Sequence, residues 1–139
     1  MKHITCLKII FIIIVCVAGF SCNREEPFDV LAAQQKLLGK WKCTDYSGEV
    51  KGDEYQITVE RNCIMNVHIR NLLNLGENEF VIVQLLDEKN VFIPPQTKES
   101  YIIEGEGAIS DEYKKMVFEL DFNDGNASKH ITVTCNKVQ

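Results

Sequence analysis

The 139-residue sequence predicts an all-β fold: a small antiparallel up-and-down barrel of about seven or eight strands with a short N-terminal helix, a β-sandwich being the alternative. Three observations predict it. Beyond Gly39 the apolar residues recur with a period of two, which marks strands buried on one face. Turn signals separate these runs at hairpin spacing. No helical pattern lies between them to carry a crossover, so a parallel α/β architecture is excluded.

The first segment precedes the fold. Lys2, His3 and Lys8 make a basic start, and Ile9 to Ala18 (IIFIIIVCVA) is an apolar run of signal-peptide length, shorter than the ~20 residues a spanning helix needs. It closes on Gly19-Phe20-Ser21-Cys22, a small residue directly before a cysteine. This ending resembles the lipobox of bacterial lipoproteins, with Gly19 where that family usually carries leucine. The resemblance implies a leader over residues 1–21, lipid attachment at Cys22, a lipidated tether over 22–28 and a barrel domain over 29–139. It also implies an outer membrane lipoprotein, on the periplasmic face or the cell surface, held to the membrane through its acyl chains. Glu25-Glu26 behind the cysteine resembles the acidic export signal of surface lipoproteins of the Bacteroidetes.

Cleavage before Cys22 leaves 139 minus 21, or 118, residues, enough for one domain with its own core. The whole chain has 15 basic and 20 acidic residues; Lys2 and Lys8 leave with the leader, so the net charge moves from −5 to about −7. That balance excludes nucleic acid as a partner, since phosphates would be repelled.

Asp29 is placed to cap a helix over Val30 to Leu38, which Gly39 ends. The strand signals follow. Tyr55, Ile57 and Val59 alternate with polar residues, as do Met65, Val67 and Ile69. Phe80 to Leu86 is apolar on both faces. Val91 to Ile93 is a short run that Pro94-Pro95 should stop, because proline lacks the N–H donor. Tyr101 to Ile109 is followed by the break Ser110-Asp111-Glu112. Met116, Phe118, Leu120 and Phe122 form one row, and Ile131, Val133 and Cys135 another. Asn123-Asp124-Gly125-Asn126 joins these last two strands as a hairpin turn.

Of six cysteines, Cys6 and Cys16 leave with the leader and Cys22 carries lipid, so Cys43, Cys63 and Cys135 remain in an oxidising compartment. In a closed barrel the first and last strands are neighbours. Cys43 and Cys135, both on apolar faces, then either form a disulfide or remain as two buried thiols. Cys63 stays free at a strand end. No metal or other cofactor is expected: there is no Cys-x-x-Cys, and His68 and His130 each stand an odd number of residues from a cysteine, on the opposite face.

Gly39-Lys40-Trp41 at the start of the first strand resembles the N-terminal signature of the lipocalins and the wider calycin group. There the tryptophan closes the base of the barrel and a basic residue near the end packs over it, here Lys137 or His130. Gly105 to Ser110 with the turn and strand after it looks like the C-terminal half of small Bacteroidetes lipoproteins with calycin-like barrels. Thr44-Asp45-Tyr46 spells a second lipocalin motif out of its order and is read as coincidence.

The resemblance implies a binding module for a small hydrophobic ligand, lined by Trp41, Tyr101, Ile103, Phe118 and Leu120. Gly105 and Gly107 share that inward face, where they either leave room for a ligand or allow the strand to bend, the bend being favoured. The alternative function is an adaptor or accessory subunit of an envelope complex, with an envelope protein as partner and the barrel's outer surface as the contact. No catalytic residue is assigned and no enzyme is expected. His68 and His130 fall on polar faces, and Glu104, Glu106, Asp111 and Glu112 read as solvated carboxylates.

Overall fold

The computed structural model describes residues 27–139. The leader, Cys22 and most of the tether therefore lie outside the described residues.

Helix α1 (Val30–Leu37) starts where the Asp29 carboxylate accepts the Ala32 N–H at 3.0 Å, satisfying one of the donors that a helix start leaves open. It ends one residue earlier than expected. Leu38 is the C-cap, and Gly39 at φ +118° turns the chain into the first strand, a conformation that costs any residue with a Cβ.

Eight strands follow: β1 (Gly39–Ser47), β2 (Val50–Arg61), β3 (Asn66–Arg70), β4 (Phe80–Leu85), β5 (Asn90–Thr97), β6 (Ile102–Ile109), β7 (Lys115–Asn123) and β8 (Ser128–Lys137). Each pairs antiparallel with the next, and β8 pairs with β1 from Trp41↔Lys137 to Tyr46↔Thr132, so the barrel closes and the sandwich alternative falls. The period-two rows point inward as the alternation predicts. Trp41, Ile57, Ile69, Ile103, Phe118 and Leu120 have no exposed surface.

Two expectations need correction and a third is narrowed. Met65 is not in the inward row with Val67 and Ile69; it sits in the turn before β3 and is 47% exposed. The run at Phe80 is not buried on both faces: Val81, Val83 and Leu85 point inward, whereas Phe80 and Ile82 are half-buried on the outside. Pro94-Pro95 does not end its strand either. β5 continues to Thr97 through a register shift between Ile93 and Gln96.

The proline pair does weaken one seam. β4 and β5 are paired only at Gln84↔Phe92 and Leu85↔Val91. Beyond that point the Gln96 side chain takes the place of backbone: its Nε2 donates to the Ile82 carbonyl at 2.8 Å, and its Oε1 accepts the Ile82 N–H at 2.9 Å. A carboxamide carries the same donor and acceptor as a peptide group, so the amide supplies the rung that proline cannot.

The two ends of the barrel differ. The base holds α1, the β2–β3, β4–β5 and β6–β7 connections and the end of β8. There the buried Gln34 side chain donates to the carbonyls of Cys63 and Asn66, each at 2.7 Å, pinning the β2–β3 turn to the helix. The mouth holds the other four connections, the longest being Asn71–Glu79 between β3 and β4.

Candidate functional site

The five residues expected to line a ligand cavity all reach the interior, and they fill it. Trp41, Ile103, Phe118 and Leu120 are fully buried, and Tyr101 is 6% exposed. The two inward glycines show how closely. A Cβ on Gly107 would lie 2.6 Å from a Phe118 ring carbon and 2.8 Å from a Val91 methyl, and one on Gly105 would lie 2.2 Å from the Glu119 carbonyl oxygen. All three distances are below ordinary contact, so Phe118, Val91 and the β7 backbone occupy the room the glycines would have left.

At the base, Trp41 joins helix to barrel. Its indole Nε1 donates to the Leu37 carbonyl at 3.0 Å, and the Lys137 ammonium lies 5.4 Å from its ring centroid while donating to the Lys36 carbonyl. Two of the carbonyls left open at the end of α1 are thus satisfied by β1 and β8, and the cation faces the negative end of the helix. Of the two basic candidates, Lys137 covers Trp41. His130 lies at the opposite end of β8, on the outside.

The mouth is closed by a loop that sequence reasoning missed. Leu72 is 1% exposed, and Asn71, Leu73, Asn74 and Gly76 all have positive φ, so the chain coils tightly to turn Leu72 down into the barrel. Two tyrosines hold this loop. The Tyr55 hydroxyl accepts the Leu73 N–H at 3.1 Å and donates to Asp45 at 2.5 Å, and the Tyr101 hydroxyl donates to Glu79 at 3.1 Å. Burial is the main cause that raises the Asp45 carboxyl above its ordinary range, and burial plus the Glu79 bond push the Tyr101 hydroxyl up to about 12. Asp45, at the β1 register shift, belongs to the tripeptide that the sequence reading set aside. The signal for the loop was the interleaving of Leu72, Leu73 and Leu75 with Asn71, Asn74 and Gly76, the residue types that best tolerate left-handed backbone.

Of the two alternatives for the seam cysteines, the structure has the bridge. Cys43 and Cys135 are direct partners across the closing β1–β8 seam and are joined as a disulfide, with Cα atoms 4.0 Å apart. Cys63 is free and exposed in the β2–β3 turn.

The outer wall carries the two histidines. His130 on β8 meets Asp121 through Nδ1 at 2.9 Å and Glu119 through Nε2 at 3.0 Å, and Glu119 also accepts the Thr132 hydroxyl at 2.8 Å. The Asp121 bond is the largest influence raising the His130 pKa above its ordinary 6.5, with Glu119 adding to it. His68 on β3 stacks on Phe80 at 4.3 Å between centroids; burial, then the charge of Arg70, lower its pKa. In an NMR titration the His130 midpoint is therefore expected above 6.5 and the His68 midpoint below it, with Asp121→Asn moving only His130 downward. His130 supports the fold below its unfolded pKa and loses that support as pH rises through its raised value, whereas His68 opposes folding once pH falls below its unfolded pKa. Coincident midpoints would contradict both placements.

Open clefts lie outside the packed core. One of about 460 Å³ runs between Ile102, Glu104, Asp121, Phe122, Lys129 and His130. Another, of about 580 Å³, lies at the base between Lys36, Tyr113, Lys137 and Val138. Of the five expected lining residues, Tyr101 alone touches a described cleft, about 360 Å³ at the mouth with Lys98, Glu99 and Asp124. Among the described residues no group of three or more His, Cys, Asp or Glu side chains is placed to hold a metal. Glu104 and Glu106 stand opposite Asp121 and Glu119 on the outer wall, so they add charge there without forming a ligand set.

Comparison with known proteins defines the class by fold alone. No family model matches the chain, and no curated protein does. Among solved structures, a redesigned β-barrel aligns with a TM-score of 0.54 at 15% identity, covering 77% of this chain and 96% of its own. The barrel EF1p2_mFAP2b bound to DFHBI aligns at 0.53 and 13% identity, covering 78% and 99%. A Bacteroides fragilis chain designated an outer membrane protein aligns at 0.43 and 13% identity, covering 76% and 52%, too low a score to carry an argument. The class is an eight-stranded, closed, antiparallel up-and-down β-barrel.

Proposed function

We propose that the protein is a lipid-anchored, non-enzymatic module of the cell envelope, an adaptor or accessory subunit that works through the outside of a filled barrel. The observation that carries this reading is the interior at Gly107, where even one added methyl group would meet Phe118 and Val91. A core this close cannot admit a ligand without unpacking. The anchor is supported by the lipobox-like ending at Cys22 and by Pro27 and Phe28 leading directly into α1.

The ligand reading is second, and one feature favours it. The mouth is closed by Leu72 on a loop, and a barrel of the same fold is solved with the small molecule DFHBI bound. One pair of measurements separates the two. Cross-linking in intact cells is expected to trap one envelope protein at stoichiometric yield, while mild extraction and mass spectrometry find no apolar molecule and fatty acids leave Trp41 fluorescence unchanged. Stoichiometric bound lipid with a saturable Trp41 titration would overturn the adaptor reading in favour of the binding module.

A further inference from the structure

Several of the large apolar side chains exposed on this barrel gather at one end. Ile64 is 67% exposed, Met65 47%, Leu86 57% and Leu31 52%. Hydrogen bonds bring them together at the base: Gln34, one turn along α1 from Leu31, holds the turn that contains Ile64 and Met65, and the Leu85 N–H donates to the Met65 carbonyl at 2.8 Å, which sets Leu86 beside it. A cluster of this kind on a water-facing surface marks a contact.

The occupant follows from where the chain enters. Phe28 packs against the core below α1, so the N-terminal segment joins the barrel at this same end. From Cys22 to Pro27 an extended chain spans at most roughly 18 Å, less than the roughly 23 to 30 Å that tilted strands of 9 and 12 residues rise from base to mouth. An acyl chain on Cys22 therefore holds the base, and not the mouth, within reach of the lipid surface.

Charge agrees. The mouth connections and the strand ends beside them carry Asp45, Glu49, Asp53, Glu54, Glu77, Glu79, Glu99 and Asp124 against Lys51, Arg70, Lys98 and Lys129, while at the base Lys36, Lys40, Arg61, Lys89, Lys114, Lys115 and Lys137 offset Asp29, Glu60, Asp87, Glu88, Asp111 and Glu112. An anionic bilayer repels the mouth and tolerates the base.

We propose that the β2–β3 turn, with Ile64 and Met65 at its tip and Leu31 and Leu86 beside it, docks into the interfacial region of the bilayer and fixes the barrel base-down, mouth outward. The inference rests on the lipid anchor proposed above. Without the anchor, four exposed side chains give only weak, reversible contact; with it, they orient a barrel already held at the surface.

Cys63, free and exposed next to Ile64, reports on the docking directly. The full-length protein, purified with its lipid, is labelled at Cys63 with an environment-sensitive fluorophore and reconstituted into vesicles of phosphatidylethanolamine and phosphatidylglycerol carrying a spin-labelled quencher at the interface. A second protein, Cys63→Ser with Asn126→Cys, carries the label at the mouth. Quenching at Cys63 severalfold above that at position 126 is expected. Ile64→Asp with Met65→Asp should abolish the difference while the protein still floats with the vesicles. Equal quenching at both positions in a protein that floats overturns the docking and leaves the anchor standing. Failure of the purified protein to float, or unchanged flotation of Cys22→Ser, removes the anchor and the docking together.

Discussion

Replacing Cys43 and Cys135 together by alanine is expected to lower the unfolding free energy by about 4 kcal/mol. The bridge joins residues 92 apart, and in the chain-entropy view a link of that span restricts the unfolded chain by about 4 to 5 kcal/mol. It also lies on the β1–β8 seam, whose pairing turns a ribbon of hairpins into a barrel. For a domain of this size the loss corresponds to a fall in Tm of roughly 15 °C. Calorimetry of the double variant, and of the unaltered protein with and without a reductant, measures it. Identical melting of the oxidised and reduced protein would show that closure stands without the bridge.

Trp41→Ala is expected to cost about as much, roughly 4 kcal/mol, for a different reason. The side chain is fully buried, and truncating a buried tryptophan typically costs about 3 to 5 kcal/mol. Its loss also leaves the Leu37 carbonyl without its donor and Lys137 without the ring it covers. Trp41→Phe separates the two contributions: most of the buried surface stays and the hydrogen bond goes, so about 1 to 2 kcal/mol should be lost. Chemical unfolding of both variants reads the difference. Equal losses would mean that the indole N–H contributes nothing at the helix end. Small domains have only about 5 to 15 kcal/mol in total, so the alanine variant should be markedly depleted in cells.

How much of this was legible depends on what kind of information each feature needed. Inward rows such as Ile57 with Val59 and Met116 with Phe118 follow from alternation, because the side-chain period of a strand is fixed. The approach of Cys43 to Cys135 followed from strand parity and closure, while the choice between a bridge and two buried thiols stayed open until the structure joined them. Other features depend on partners that are remote in sequence. Nothing near Gln96 says that its amide will serve Ile82, so Pro94 and Pro95 look like a stop. Asp45 looks accidental until the Tyr55 hydroxyl is seen to reach it, and Met65 looks inward until Gln34 is seen to hold its turn against α1.

The interior was the hardest part to read. Trp41, Ile103, Phe118 and Leu120 were legible as inward-facing, but alternation assigns a side chain to a face without saying whether the faces meet. Gly105 and Gly107 allowed either room or a bend, with the bend favoured. Whether a neighbour fills that room depends on cross-barrel distances, and those come only with the register of all eight strands. The lid over the mouth was lost for a related reason, since its apolar residues follow no period.

The seam at Pro94-Pro95 also bears on what happens when the barrel opens. Two paired positions and one side-chain amide make β4–β5 the least secured of the strand contacts, so a transient opening would start there and expose two raw strand edges. Such edges invite another chain to add itself, which is how opened barrels begin to aggregate. On β5, however, the exposed edge would run through Pro94-Pro95, a stretch with no N–H to offer. The same prolines that loosen the seam make its broken edge a poor template, so an opened molecule is steered back to its own strand and away from a neighbour's.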